Sequence, residues 1–283
     1  MIEDMVAPRG KQGCVVALHC SLGSGRQWVP LAEAFEGRYQ FIAPDIAGYG
    51  DSARVVHKQA SLASEVHFLR EQLKAAKGDI HLVGHSYGGA IAFKIATSEQ
   101  YASRVRSLTL IEPVLPAILL EHDADRPLYD YFSGISRRVC VDLWNGDRAA
   151  ALDKFLRFWN GIEGAAAVAP DVRARMLKYT DKLAGDFTAA FAEKNLDAAV
   201  LGIDVPVLLV SGGQSPDPSQ RIVGRLESMI ADARVKHLPG AGHMLAITHG
   251  DVINPEIVRL VAEADRVVEP VARPLVVAEP ALA

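Results

Sequence analysis

Short apolar runs and helical stripes alternate along most of this 283-residue chain. The runs fall at 14–18, 39–43, 80–83, 105–111, 205–211 and 234–238. Several are apolar throughout instead of alternating, the pattern of strands covered on both faces. Between them, Leu62, Val66, Leu69 and Leu73 line one face of a predicted helix. Ile222, Val223, Leu226, Met229 and Ile230 make a second stripe, and Val252, Ile253, Ile257, Leu260 and Val261 a third. Strands separated by helices require crossover connections, so the pattern predicts a doubly wound α/β fold with a mainly parallel sheet.

That rhythm stops at Pro113 and resumes near Val205. The intervening stretch has no good strand and reads as helical, notably over 147–159 and 171–182. The expected division is a core of residues 1–112 and 204–266, a helical cap of residues 113–203 over the sheet, and an extended arm of residues 267–283. The arm carries three prolines and no period.

Composition narrows the classes. Apolar residues make up 49% of the chain, enough for a sizeable core. Thirty Lys and Arg against 34 Asp and Glu leave no electrostatic reason to expect nucleic acid or an anionic membrane surface. No apolar run reaches the roughly 18 residues of a membrane span. The start, M-I-E-D-M-V, has acids where a signal peptide carries Lys or Arg. Cys14, Cys20 and Cys140 form neither a CxxC pair nor an even framework, and read as reduced thiols. A cytoplasmic protein is expected, with a homodimer left open.

Gly84-His85-Ser86-Tyr87-Gly88 follows the run ending at Val83 and opens a small-residue helix. This is G-x-S-x-G in the strand–turn–helix setting that makes it a nucleophile elbow. A serine on a sharp strand-to-helix turn projects its hydroxyl, and its neighbours must be small because strand and helix pass closely. The helix start offers free N–H groups to a developing oxyanion. With this motif, the sequence resembles the α/β-hydrolase superfamily over nearly its whole length. Leu18-His19-Cys20-Ser21 stands where that family has His-Gly before an oxyanion-hole residue, with Cys20 in place of the glycine. Pro44-Asp45 to Gly48-Tyr49-Gly50-Asp51-Ser52 resembles the family's P-D-x-x-G-x-G-x-S loop. Pro239-Gly240-Ala241-Gly242-His243 resembles its catalytic-histidine loop. With so few residues before Cys14, the sheet has room to begin at the family's third strand, without the usual N-terminal hairpin.

The resemblance implies Ser86 as nucleophile, with the N–H groups of Ser21 and Tyr87 as oxyanion hole. Among nine histidines, His243 is the expected base, because a loop after the last strand returns over the C-terminal sheet edge where ligands bind. His237 and His249 suit structural roles, and His19 and His85 suit packing and loop hydrogen bonds. The acid is less direct. No acid stands just after the 205–211 strand, where superfamily members usually place it, and Asp217 is explained as an N-cap followed by Pro218. Glu112 ends the 105–111 run, beside the nucleophile strand in the family's order, where a carboxylate is costly unless paired. Glu112 is the preferred acid and Asp217 the alternative. Phe155, Phe158 and Trp159 could line an acyl pocket, but aromatics at this spacing are more often the cap's own core, and they are not assigned as site residues.

The expected activity is that of a serine hydrolase cleaving a small carboxylic ester or related acyl substrate, with neither cofactor nor metal. A C–C bond hydrolase or thioesterase on the same scaffold, or a ligand receptor with little turnover, stays open. A serine in the elbow disfavours epoxide hydrolases and dehalogenases, whose elbow nucleophile is Asp. A nucleotide-binding oxidoreductase is disfavoured because Trp28 stands where the third glycine of G-x-G-x-x-G would follow Gly23 and Gly25.

Overall fold

The strands form at the short β-rich runs of the sequence. In the computed structural model, which describes residues 13–55 and 59–266, they are β1 (Cys14–Leu18), β2 (Gln40–Ile42), β3 (Ile80–His85), β4 (Val105–Ile111), β5 (Val207–Gly212) and β6 (Ala233–Leu238). All pairings are parallel, in the order β2-β1-β3-β4-β5-β6. Every residue of β1, β3 and β5 is buried. Alternate side chains divide between two cores, as the pleat requires. Cys14, Val16 and Leu18 join the helices Leu62–Phe68, Tyr87–Ala96 and Asp217–Met229 on one face. Val15 and Ala17 join the helices Val29–Ala34 and Gly250–Arg266 on the other. The edge strand β6 is more exposed and carries Arg234 and Lys236, charges that discourage pairing with another sheet.

The chain leaves β1 toward β2 on one side of the sheet, then crosses to β3 on the other. The C-terminal ends of β1 and β3 therefore flank the point where strand order reverses, the usual place for a crevice in an open α/β sheet.

Residues 113–203 contain no strand. They form the helices Arg126–Trp144, Arg148–Ala166, Pro170–Leu177, Lys182–Ala192 and Leu196–Leu201, with short 3-10 turns. Asp147 caps the second of these, its side chain accepting from Ala150 N–H at 2.9 Å. Phe132 packs against Phe158, Trp159, Phe187 and Phe191 to make an aromatic core within the insertion.

Three local expectations change. The 62–73 stripe is carried by two helices, Leu62–Phe68 and Arg70–Ala75, because Leu69 leaves helical geometry at ψ 2°. Its four apolar residues nevertheless stay buried. The expected 171–182 helix divides into Pro170–Leu177 and the start of Lys182–Ala192. Among the described residues, β2 is the sheet edge and no antiparallel strand flanks it. Residues 1–12, and the expected arm at 267–283, lie outside the described residues. Among the described residues, no helix is long and apolar enough to cross a membrane.

Candidate active site

The turn after β3 holds Ser86 at φ 58°, ψ −119°, a region a non-glycine residue occupies only at a cost. Its neighbours allow it. A Cβ on Gly84 would lie 2.4 Å from the Gly88 carbonyl oxygen, and one on Gly88 would lie 2.3 Å from that of Leu18. Ser86 N–H donates to Ile111 C=O at 2.9 Å, while Ser86 C=O accepts from Ala90 and Val114 N–H, each at 3.1 Å. These bonds join the turn to the following helix and to the end of β4, which restrains the strained residue.

From Ser86 a line of hydrogen bonds runs through His243 to Glu112. Ser86 Oγ is 2.9 Å from His243 Nε2, and His243 Nδ1 is 2.5 Å from Glu112 Oε2. An ionised carboxylate can only accept, so Nδ1 carries the proton and Nε2 is left to accept from the serine hydroxyl. Glu112 is fully buried, with φ 44°. Its Oε1 accepts from Gly212 N–H at 2.7 Å, and Oε2 from Ser219 Oγ at 3.3 Å. Burial pushes the Glu112 pKa up, but the bonds from His243 and Gly212 outweigh it and hold the group below its ordinary value. Trp159, from the insertion, stacks on the His243 ring with centroids 3.9 Å apart and planes 22° apart.

Asp217 is exposed at the start of the helix Asp217–Met229. It is the first helical residue, with Pro216 at the cap position, so the expected N-cap role is displaced by one residue. An acid in the first turn still complements the helix dipole. His237 pairs with Ser211 Oγ at 2.9 Å and His249 with Thr248 Oγ1 at 2.8 Å.

His19 and His85 are structural neighbours of the site. His85 Nε2 donates to the His243 carbonyl at 2.8 Å, and its Nδ1 accepts from Gln27 Nε2 at 3.0 Å. His19 Nδ1 donates to Cys20 C=O at 2.7 Å, and its Nε2 accepts from Ile46 N–H at 2.9 Å. Burial lowers the pKa of His85 to about 3 and of His19 to about 4, so both are neutral near pH 7. Between the ordinary 6.5 and these lowered values, the unfolded chain binds protons that the folded one refuses. Stability is therefore full above pH 6.5 and falls as pH drops toward 4, by up to ~1.4 kcal/mol per pH unit per histidine. Thermal midpoints measured from pH 7.5 to 4.5 should fall on the acid side, with a shallower slope in His85→Gln. An unchanged slope in that variant would remove His85 from the account.

Ser21 and Tyr87, the expected oxyanion residues, follow the paired strands β1 and β3. Both line a cavity of about 10 Å³ beside Ser86, about the space one water needs. Tyr87 is the first residue of its helix, so its N–H has no partner within that helix. In the β1 loop, the left-handed conformation falls on Leu22 (φ 60°) and not on Cys20, so a cysteine in the glycine position carries no such strain. Phe155, Trp159 and Phe187 close the cavity from the insertion. Of the three aromatics weighed between pocket lining and insertion core, Phe155 and Trp159 line the cavity, while Phe158 stacks on Phe132.

Sequence reasoning missed the polar side chains around this cavity. Asp186 lines it and accepts from Ser21 Oγ at 2.6 Å, from Tyr49 OH and from Lys182 Nζ. Burial pushes the Asp186 pKa up against the pull of Lys182. The one sequence signal was the i,i+4 spacing of Lys182 and Asp186, which ordinarily marks a solvated helix face. Gln27, also missed, joins the β1 loop to His85 by accepting from Cys20 N–H at 3.3 Å.

A family model described as the alpha/beta hydrolase family matches residues 15–256. Over 274 residues the chain is 30% identical to the polyketide synthase ThaQ of Burkholderia thailandensis, a match covering 92% of this chain but 12% of that protein. It is 25% identical to the putative carbamate hydrolase RutD of Azorhizobium caulinodans, over 90% of this chain and 93% of that one. Among solved structures, MenH from S. aureus superposes with a TM-score of 0.72 at 19% identity, covering 91% of this chain and 96% of the other.

Proposed function

This chain belongs to the alpha/beta hydrolase family, and on that premise we propose that it is a serine hydrolase cleaving small carboxylic esters or related acyl compounds. The observation that carries the reading is the unbroken line Ser86–His243–Glu112, with each link at hydrogen-bond distance. Similarity to a protein named as a putative carbamate hydrolase supports a carbonyl carbon as the point of attack.

The steps follow from the proton positions. Ser86 Oγ attacks the carbonyl as its proton passes to His243 Nε2. The resulting imidazolium lies between the Glu112 carboxylate, which stabilises its charge, and the Trp159 face, whose quadrupole adds to that attraction. The oxyanion accepts from the N–H groups of Tyr87 and Ser21. His243 then protonates the leaving oxygen, and a water activated by the same nitrogen releases the acyl group.

In this reading residues 113–203 act as a cap that excludes water and sets acyl-group selectivity. The cavity beside Ser86 is small, so substrate entry requires the insertion's side chains to yield. Phe187→Ala is expected to raise kcat/KM for octanoyl relative to acetyl esters by on the order of tenfold, since each added methylene can contribute ~1 kcal/mol or more. Equal changes for both chain lengths would place selectivity elsewhere. The test of the activity itself is a panel of p-nitrophenyl esters and matching thioesters with graded acyl chains. Saturable turnover of a short ester is expected; absence of turnover across the panel would contradict the assignment.

A further inference from the structure

The two N–H groups assigned to the oxyanion belong to separate pieces of chain. One follows β1, the other opens the helix after β3. An oxyanion gains fully only if both donors stand about 2.7–3.1 Å from it, so the spacing between the two pieces matters for chemistry. Pairing of Leu18 with Gly84 fixes the strand ends. Beyond Leu18, however, the chain runs through an irregular loop containing Leu22 at φ 60°, a conformation with a steric cost for leucine. Such a loop needs anchors.

Cys20 is anchored within the core, by Gln27 on its N–H and by His19 and Gly23 N–H on its carbonyl. Ser21 has a different anchor. Its hydroxyl donates to Asp186 Oδ2 at 2.6 Å, and Asp186 comes from the insertion helix Lys182–Ala192. One turn earlier, Lys182 Nζ lies 2.5 Å from Asp186 Oδ1 and 2.8 Å from Glu65 Oε1. Glu65 Oε1 in turn accepts from Tyr87 OH at 3.0 Å. The ammonium also stands over the Tyr87 ring, 5.1 Å from its centroid. The path Ser21–Asp186–Lys182–Glu65–Tyr87 therefore ties the side chain of one oxyanion residue to that of the other. Glu65 is 1% and Asp186 4% exposed. Burying two carboxylates and an ammonium adds little net stability compared with apolar packing, so a cluster of this kind serves geometry better than it serves folding.

We propose that Lys182, Asp186 and Glu65 are positioning residues that hold the two halves of the oxyanion hole at their working separation, so that docking of the insertion completes the hole. This rests on the serine-hydrolase reading above and adds to it a role for the insertion in the chemical step. None of the three side chains need touch the oxyanion; they act through Ser21 and Tyr87.

The test uses the full chain, p-nitrophenyl acetate as substrate, and an alkyl trifluoromethyl ketone, whose serine adduct carries an oxyanion. Ser21→Ala keeps the backbone N–H and removes its tether. It should cut kcat by ~10–100-fold, as expected for a displaced donor, with KM within about threefold. Inhibition by the ketone should weaken by the same factor. Asp186→Ala, which removes the acceptor of the Ser21 hydroxyl, should show the same split, and the double variant should be no worse than the more damaged single one, since both break one path. Lys182→Met leaves two buried carboxylates without their cation, and if it fails to fold the Ser21 and Asp186 variants carry the test. Unchanged kcat and ketone affinity in Ser21→Ala, or additive losses in the double variant, would overturn the clamp. Labelling of Ser86 by a fluorophosphonate in the same preparations separates the two levels. With Ser86 labelled and the variants fully active, the clamp fails and the hydrolase reading stands. With Ser86 unlabelled in the parent protein, both fail.

Discussion

Ser86→Ala is expected to lower ester turnover by roughly 10⁴–10⁶-fold while leaving the protein folded. The size follows from what the hydroxyl does in the proposed mechanism. Without it there is no covalent intermediate, and what remains is the stabilisation offered by the oxyanion donors and binding. The folding cost is small by comparison. The hydroxyl makes one hydrogen bond, to His243 Nε2, and its loss leaves that nitrogen without this partner in a buried site. A neutral hydrogen bond contributes ~1 kcal/mol, so the thermal midpoint should move by a few degrees at most. Alanine also keeps the strained turn, because the restraining bonds come from the backbone of residue 86. Steady-state kinetics beside a melting curve check both halves. Turnover within tenfold of the parent would remove Ser86 from the reaction.

The second large effect belongs to the acid. Glu112→Gln should reduce kcat by about 10⁴-fold, since the amide neither fixes the imidazole proton on Nδ1 nor balances the imidazolium charge. Asp217→Asn should remain active, because Asp217 is exposed at a helix start and its loss touches only a surface helix end. Glutamine can still accept from Gly212 N–H through its carbonyl, which protects the fold. The left-handed conformation of Glu112 comes from the backbone and is the same for either side chain. Comparing kcat for the two variants discriminates between the acids. A dead Asp217→Asn with an active Glu112→Gln would reverse the assignment.

Much of the architecture was legible because it depends on local patterns. The runs at 14–18 and 105–111 coincide with β1 and β4; β1 is apolar throughout and buried on both faces, and β4 buries all but Arg106. The elbow was legible because its demand for small residues is imposed within five positions, 84–88. Glu112 stood out because a carboxylate at the end of a buried strand requires a partner, and the structure supplies His243. The break at Leu69 was not legible, since its apolar stripe continues across two helices and burial is indifferent to the kink.

Side chains around the loop after β1 were hidden for another reason. Ser21 and Asp186 are 165 residues apart, and Lys182 and Glu65 are 117 apart. Only the docking of the insertion onto the core brings them together, and no local period reports it. Trp159 illustrates the same limit. Its spacing with Phe155 and Phe158 marks a packed aromatic face, and it does pack against Phe132. Its stack on His243 depends on which way that face meets the sheet.

The central claim is that Ser86 is the nucleophile activated by His243. The most direct measurement is intact-protein mass spectrometry after exposure to a fluorophosphonate, followed by peptide mapping of the parent, Ser86→Ala and His243→Ala. The account predicts a single adduct on Ser86 in the parent, none in Ser86→Ala, and labelling slowed by at least 10²-fold in His243→Ala, where the proton acceptor is lost. An adduct on another residue, or labelling of Ser86 at the parent rate without His243, would contradict it.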